Sequence, residues 1–215
     1  MGRKLASDDI AAGFLAGGLA RRMGGGDKAR LVLQGRSLLE WQLAATAAHP
    51  IRLISANGDA ARYADTGLPV VADNLETAEF AGPLAGILAM LDWLAETGQA
   101  SWLLSLATDA PFVPADLADR LAAGLQADGA QLAQARSGGR RHPVFALWPV
   151  AVAAELRAAL EQDGLRKIDD FTDRYRLAII DFTGQPDPFF NINRPQDLAA
   201  AEQMADQMTK QMLGG

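Results

Sequence analysis

Leu15-Ala16-Gly17-Gly18-Leu19-Ala20-Arg21-Arg22-Met23-Gly24-Gly25-Gly26-Asp27-Lys28 places five glycines and three cations directly behind an apolar N-terminal run. Glycine backbones turn sharply and let N–H groups approach phosphate oxygens that a Cβ would hold off, while Arg21, Arg22 and Lys28 supply the opposing charge. The combination reads as a cradle for a nucleoside triphosphate, with a flexible surface loop as the plainer alternative. Two familiar phosphate signatures do not fit. A P-loop ends in Gly-Lys-Ser/Thr, whereas this stretch ends Gly26-Asp27-Lys28-Ala29, with no hydroxyl for a metal ion. The dinucleotide fingerprint needs G-x-G-x-x-G, and Gly13, Gly17 and Gly18 lack that spacing.

Asp109 follows the apolar run Trp102 to Ala107. A carboxylate at the end of a buried strand is costly to desolvate without a cation or hydrogen-bond donors. Mg2+ suits it, because that ion takes one or two carboxylates together with phosphate oxygens and water. Capping a helix that begins near Pro114, or ordering the turn, is the alternative use of the same side chain. Asp73, after Val70-Val71-Ala72, is placed to accept from a base or ribose, to serve as a second metal ligand, or to form a turn with Asn74. Asn57-Gly58 closes another strand and suits either the edge of a nucleobase or a plain turn. Asn191 and Asn193 alternate in an extended segment, which puts both amides on one side and toward a common ligand. His49, before Pro50, is expected to be structural. His142, beside Arg140 and Arg141, is either an anion contact or part of a solvated basic loop.

These residues need a scaffold, and short β-type runs at Ala11 to Ala16, Ile51 to Ser55, Pro69 to Ala72, Trp102 to Ala107 and Ala130 to Ala135 alternate with helical patterns. That alternation predicts an α/β fold built on βαβ units. Ser37 and Glu40 form a capping-box pair before one helix, and Gly82-Pro83 opens another that runs to Gly98. Ser137 to His142 reads as a basic loop, Pro143 to Leu147 and Leu177 to Phe182 as strands, and Val150 to Gln162 and Pro195 to Met212 as helices. The expected organisation is a disordered tail over 1–9, one domain over 10–205, and a fraying helix end over 206–215. The 215 residues carry a formal charge of −6, which argues against a nucleic-acid or anionic-membrane surface. A polyanionic ligand therefore depends on local cations, in the glycine loop and at Arg136, Arg140 and Arg141. The absence of cysteine excludes disulfides, zinc thiolates and cysteine nucleophiles. No apolar run reaches the ~18 residues of a membrane span, and a secretory pattern is missing at the start. The chain is expected to be soluble and cytoplasmic.

Together and in order, Leu15-Ala16-Gly17-Gly18, Arg22-Met23-Gly24-Gly25, Asp27-Lys28, Gly82-Pro83-Leu84-Ala85-Gly86, Thr108-Asp109-Ala110-Pro111, His142-Pro143 and Asn191-Ile192-Asn193-Arg194-Pro195 make the chain resemble the molybdenum cofactor guanylyltransferases. The match runs nearly end to end. It implies the glycosyltransferase-A-like nucleotidyltransferase fold, a single-domain, Rossmann-like three-layer α/β sandwich with a mostly parallel central sheet. It further implies transfer of GMP from GTP to the phosphate of molybdenum-molybdopterin, with release of pyrophosphate and Mg2+ as cofactor. Under the resemblance, catalysis falls to Arg22, Lys28 and Asp109. Leu15, Ala16, Gly17, Gly18, Lys28, Ser55, Asn57, Asp73, Gly82 and Asp109 line the nucleotide, with Asp109 holding the metal, and Asn191 and Asn193 face the pterin.

At Ser55 the family usually carries asparagine, giving Asn-Ala-Asn where this chain has Ser55-Ala56-Asn57, which weakens one base contact. The preference for guanine over cytosine rests largely on Gly17, because the sister cytidylyltransferases have alanine there and a methyl would intrude on a purine. Expected partners are GTP, the pterin, other proteins of the cofactor's biosynthesis and the molybdoenzymes that receive the product. Arg136 to His142 and Arg166-Lys167 either touch the pterin phosphate or dock a partner. Rival readings are a cytidylyltransferase acting on the same pterin, a sugar-1-phosphate nucleotidyltransferase, and a non-catalytic carrier of the finished cofactor.

Overall fold

The computed structural model describes residues 5–17, 27–75 and 82–213. β1 (Ile10–Leu15) is apolar on both sides because helices cover both faces: Ile10, Ala12 and Phe14 enter one layer and Ala11 the other. A hairpin of β2 (Val32–Leu33) and β3 (Arg36–Ser37) leads into α1 (Leu38–Ala45). The predicted capping box starts that helix. Ser37 Oγ accepts from Glu40 N at 3.2 Å and Glu40 Oε2 accepts from Ser37 N at 2.6 Å, which holds the Glu40 carboxyl below its ordinary range.

The chain continues through β4 (Arg52–Ser55), β5 (Val70–Val71), α2 (Pro83–Thr97), β6 (Trp102–Ala107) and α3 (Leu117–Ala127). It ends with β7 (Leu132–Ser137), β8 (Arg140–Pro149), α4 (Ala153–Glu161), α5 (Ile168–Thr172), β9 (Leu177–Asp181) and α6 (Pro195–Leu213). Seven strands form one sheet in the order β5-β4-β1-β6-β8-β7-β9, in which β8 runs against both neighbours and the other pairings are parallel. This is the α/β fold that the alternation predicts, in the mostly parallel form that the resemblance implies.

Leu39 of α1 and Leu117, Leu121 and Leu125 of α3 fill one face, and Leu84, Leu88 and Leu91 of α2 with Leu156 and Phe171 fill the other. Each fully buried leucine contributes about 1.5–3 kcal/mol. A third cluster, with Leu33, Phe112, Ile192 and Ala201, seats α6 on the β2–β3 hairpin. Gly86 lets α2 approach the sheet closely: a Cβ there would lie 2.5 Å from Ser55 Oγ and 2.6 Å from Leu15 Cδ2.

Three expectations are corrected. Ser137 to His142 is a β-hairpin and not a loop, because Gly138 (φ 53°) and Gly139 (φ 77°) supply the two positive φ angles of a primed two-residue turn, and Arg136 pairs with Arg141 across it. The disorder expected over 1–9 does not hold for Leu5 to Asp9. Ser7–Asp9 is a 3-10 turn, Asp9 Oδ2 accepts from Ala6 N at 3.0 Å, and Leu5 packs on the core. α3 begins at Leu117, not near Pro114.

The site follows from the strand order. β1 lies between β4 and β6, so the chain leaves β1 to one side and returns on the other, which puts a topological switch beyond Leu15, Ser55 and Ala107. Ligands of open α/β sheets bind at such a switch point. Among the described residues no helix is long and apolar enough to cross a membrane.

Candidate active site

β6 runs into Thr108-Asp109, and three bonds fix that turn. Thr108 Oγ1 donates to the Leu15 carbonyl at 3.2 Å, tying the ends of β6 and β1 together at the switch point. Gln42, buried on α1, donates to the carbonyls of Ala107 (3.2 Å) and Ala110. Ile192 N donates to the Asp109 carbonyl at 2.9 Å. On this base, Lys28 Nζ donates to Asp109 Oδ2 at 2.7 Å and to Asn193 Oδ1 at 2.6 Å. Three of the predicted residues thus form one cluster, although Lys28 and Asn193 are 165 positions apart. Asn193 was expected at a pterin; the structure shows its Oδ1 accepting from Lys28.

Among the described residues, Asp109 Oδ1 is buried without a hydrogen-bond partner, an orphaned acceptor that a cation would satisfy. No group of three or more metal-ligating side chains exists among the described residues. A cation at Asp109 would complete its shell from phosphate oxygens and water, which is how Mg2+ is commonly held. Asp109 caps no helix, since Asp116 occupies the N-cap of α3.

Asp27 and Tyr63 brace the approach to Lys28. Asp27 Oδ1 accepts from Ala29 N at 3.0 Å and caps the 3-10 turn Lys28–Arg30. Tyr63, fully buried, donates to Asp27 Oδ2 at 2.5 Å, and its hydroxyl lies 3.2 Å from the Ala16 carbonyl oxygen. Arg30 and Arg62 stand over the ring, 5.1 and 5.0 Å from its centre. One phenol therefore touches both Ala16 and Asp27, the residues that flank the glycine loop. Burial, then the Asp27 bond, pushes the Tyr63 hydroxyl far above its ordinary range, so it stays a neutral donor. Tyr63→Phe keeps the ring and deletes the donor. A hydrogen bond to a charged group is worth about 1.5–3 kcal/mol, so we expect the KM for nucleoside triphosphate to rise at least ~10-fold with kcat within about threefold. An unchanged KM in steady-state kinetics would separate this brace from nucleotide binding.

The remaining predicted residues divide. Leu15, Ala16 and Gly17 sit at and just beyond the end of β1, and a Cβ built on Gly17 meets nothing within 4 Å. Asn57 and Asp73 bind each other at the ends of β4 and β5: Asn57 Nδ2 donates to Asp73 Oδ2 at 2.8 Å and Asp73 N donates to Asn57 Oδ1 at 2.9 Å. Ser55 is buried against Gly86 of α2. Gly82 is the N-cap of α2, with φ 60°. Gly18 and Arg22 lie outside the described residues. His49 is structural, its Nδ1 3.2 Å from the Ile10 carbonyl oxygen.

The basic cluster is largely spoken for. Arg136 pairs with Asp181 through two bonds, and Arg141 binds Asp169, Asp173 and Gln134. Arg166 is turned onto the carbonyls of Leu160 and Leu165. Arg140 instead lines a groove of about 630 Å3 together with Ser137, His142, Asp187, Asn191, Asn193 and Arg194. His142 packs on Phe189, with ring centres 4.7 Å apart, and burial pushes its imidazole below the ordinary value of 6.5, with Arg140 adding to that and Asp187 opposing it.

The unfolded chain therefore binds a proton at His142 more readily than the folded one. Its contribution to stability is complete above about pH 6.5 and falls as pH drops through that value toward the lower folded pKa. We expect the His142 ring protons to titrate below pH 6.5 by NMR. A midpoint at or above 6.5 would contradict this.

A fixed lysine–carboxylate pair at the switch point of a mostly parallel sheet, with an open groove beside it, defines a nucleotidyltransferase-type α/β domain. The model of the MobA-like NTP transferase domain matches residues 12–176. A relative from Rhodopseudomonas palustris (strain HaA2), named molybdenum cofactor guanylyltransferase, is 52% identical over 195 residues, covering 89% of this chain and 90% of the relative. Among solved structures, molybdopterin-guanine dinucleotide biosynthesis protein A from Archaeoglobus fulgidus superposes with a TM-score of 0.73 at 24% identity, over 92% of this chain and 100% of that one. A Mycobacterium tuberculosis protein solved as a complex with manganese shares the fold at a TM-score of 0.63 and 16% identity, over 91% and 98% of the two chains. The chain belongs to the MobA-like NTP transferase family, among the relatives named molybdenum cofactor guanylyltransferase.

Proposed function

We propose that the protein transfers GMP from GTP to the terminal phosphate of molybdopterin, releasing pyrophosphate and forming the guanine dinucleotide form of the cofactor. The observation that carries this reading is the Lys28–Asp109–Asn193 cluster, which joins the switch point to the groove. An oxygen of the acceptor phosphate attacks the α-phosphorus of GTP, the new P–O bond forms, and the bond to the leaving pyrophosphate breaks. That oxygen is already ionised at neutral pH, so no general base is required. Orientation and preorganised charge do the catalysis.

Lys28, held between two acceptors, balances charge that develops on the phosphates. Asp109 would hold a divalent cation, Mg2+ in this reading, which supplies further neutralisation of the triphosphate. Support for the cation is the orphaned Asp109 Oδ1. The preference for guanine over cytosine is assigned in this reading to Gly17, whose missing Cβ leaves the base more room than an alanine would. Arg22 is assigned to the triphosphate, and Asn57 and Asp73 to the nucleoside. A cytoplasmic setting is part of the same reading.

A thermal unfolding scan with magnesium and each of GTP, CTP, ATP and UTP tests nucleotide choice. Ligand at 100 times its dissociation constant adds about 2.7 kcal/mol, a rise of roughly 5–11 °C for a chain of this length. We expect the rise with GTP, and a larger rise with CTP would move the chain to the sister cytidylyltransferases.

A further inference from the structure

The groove beside Lys28 is built by the β7–β8 hairpin on one wall and the segment from Asp187 to Asp197 on the other. Asn193 belongs both to this groove and to the Lys28 cluster, so one end of the groove is the transfer centre. Its volume of about 630 Å3 suits a small organic molecule.

Its polar groups are set out in a fixed pattern. Ser137 Oγ lies 2.8 Å from Asp187 Oδ1, 3.1 Å from Asp187 Oδ2 and 2.8 Å from His142 Nε2. The carboxylate only accepts, so the single hydroxyl proton goes to Asp187 and Ser137 accepts from His142 Nε2–H. Phe189 N adds a second bond to Asp187 Oδ1 at 2.9 Å. Asp187 is therefore held in one orientation by neutral donors. None of the described cations pairs with it, and the weakly engaged Oδ2 keeps lone pairs for a ligand. Arg140 and Arg194 line the same groove, and neither guanidinium has a hydrogen-bond or ion-pair partner among the described residues. Every other arginine of the β7–β8 hairpin is matched to a carboxylate.

A fixed carboxylate pairs side by side with adjacent N–H groups, as on the 2-amino-4-oxo edge of a pterin, and free guanidiniums take phosphate. With the acceptor in the groove that Asn191 and Asn193 line, we propose that Asp187 sets its orientation by receiving the N3–H and 2-amino donors of the pterin ring, while Arg140 and Arg194 hold its anionic groups. The inference rests on the proposed guanylyl transfer and adds the orientation of the acceptor. A sugar phosphate carries no such N–H edge and would leave Asp187 unused.

Asp187→Asn keeps the shape and turns one accepting oxygen into a donor, and Arg140→Gln removes one cation at an exposed position on the hairpin. The test measures molybdopterin binding to the GTP-free protein by anaerobic equilibrium dialysis, the acceptor KM of guanylyl transfer at saturating GTP, and the thermal shift caused by GTP. Expected is a rise of at least ~10-fold in acceptor Kd and KM for both variants, with the GTP shift retained. Acceptor Kd and KM within twofold of the unmodified protein in either variant would overturn the proposal. Absence of transfer by the unmodified protein is a separate result. It would refute the proposed function, while the dialysis would still decide whether Asp187 and Arg140 hold the pterin.

Discussion

Asp109→Asn is expected to lower kcat by about 10²–10³-fold while the protein stays folded. Removing one preorganised charge contact costs roughly 3–4 kcal/mol of transition-state stabilisation, which is that factor in rate. The amide has the volume of the carboxylate, so Gln42, Thr108 and Ile192 keep their backbone bonds to the turn. What is lost is the negative charge beside Lys28 and the anionic Oδ1 that has no partner among the described residues. Lys28 retains Asn193 and is partly solvated, so the thermal midpoint should move by no more than a few degrees. Pyrophosphate release at saturating substrates reads the effect. Turnover within threefold of the unmodified protein would remove Asp109 from the chemistry.

Lys28→Ala is expected to cost a similar factor in kcat and to raise the KM for GTP too, because the ammonium would meet the triphosphate before as well as during transfer. Two acceptors, Asp109 Oδ2 and Asn193 Oδ1, then lose their common donor. The two losses should not multiply. A charge pair acts as a unit, so the Asp109→Asn/Lys28→Ala double variant is expected to retain more activity than the product of the single effects predicts. Fully multiplicative losses, measured by pyrophosphate release across the four proteins, would mean that Lys28 and Asp109 act on separate steps.

The frame of the fold was legible because its signals are local. β6 matches the expected Trp102 to Ala107, since six largely apolar residues between polar flanks admit little choice, and the Ser37–Glu40 box marks the start of α1 within one turn. The β7–β8 hairpin was misread because Arg140, Arg141 and His142 look like a solvated run. The carboxylates that Arg141 and Ser137 bind, Asp169, Asp173 and Asp187, come from segments up to 50 positions away. Composition could not show that Arg136 and Arg141 are matched while Arg140 is left to the groove.

Of the site, Lys28, Asp109 and Asn193 were each visible as residues, but not their contact, which depends on the Asn191 to Arg194 segment docking on the Asp109 turn. Tyr63 and Gln42 were passed over. Gln42 left a trace, a polar side chain on the same face of α1 as Leu38 and Leu39, where an unpaired amide would be costly. Tyr63 left only an aromatic ring in the alanine-rich run Ala60 to Ala64. Both act through backbone carbonyls or a loop residue, and such partners are set by tertiary packing.

The most direct test of guanylyl transfer offers the protein anaerobic molybdopterin and magnesium with one α-phosphate-labelled nucleoside triphosphate at a time, and follows label into the pterin product alongside pyrophosphate. The account predicts that label from GTP appears in the dinucleotide, with one pyrophosphate released per transfer and little from CTP, ATP or UTP. Preferential labelling from CTP would contradict the guanylyl assignment, and pterin bound without transfer of any label would contradict catalysis itself.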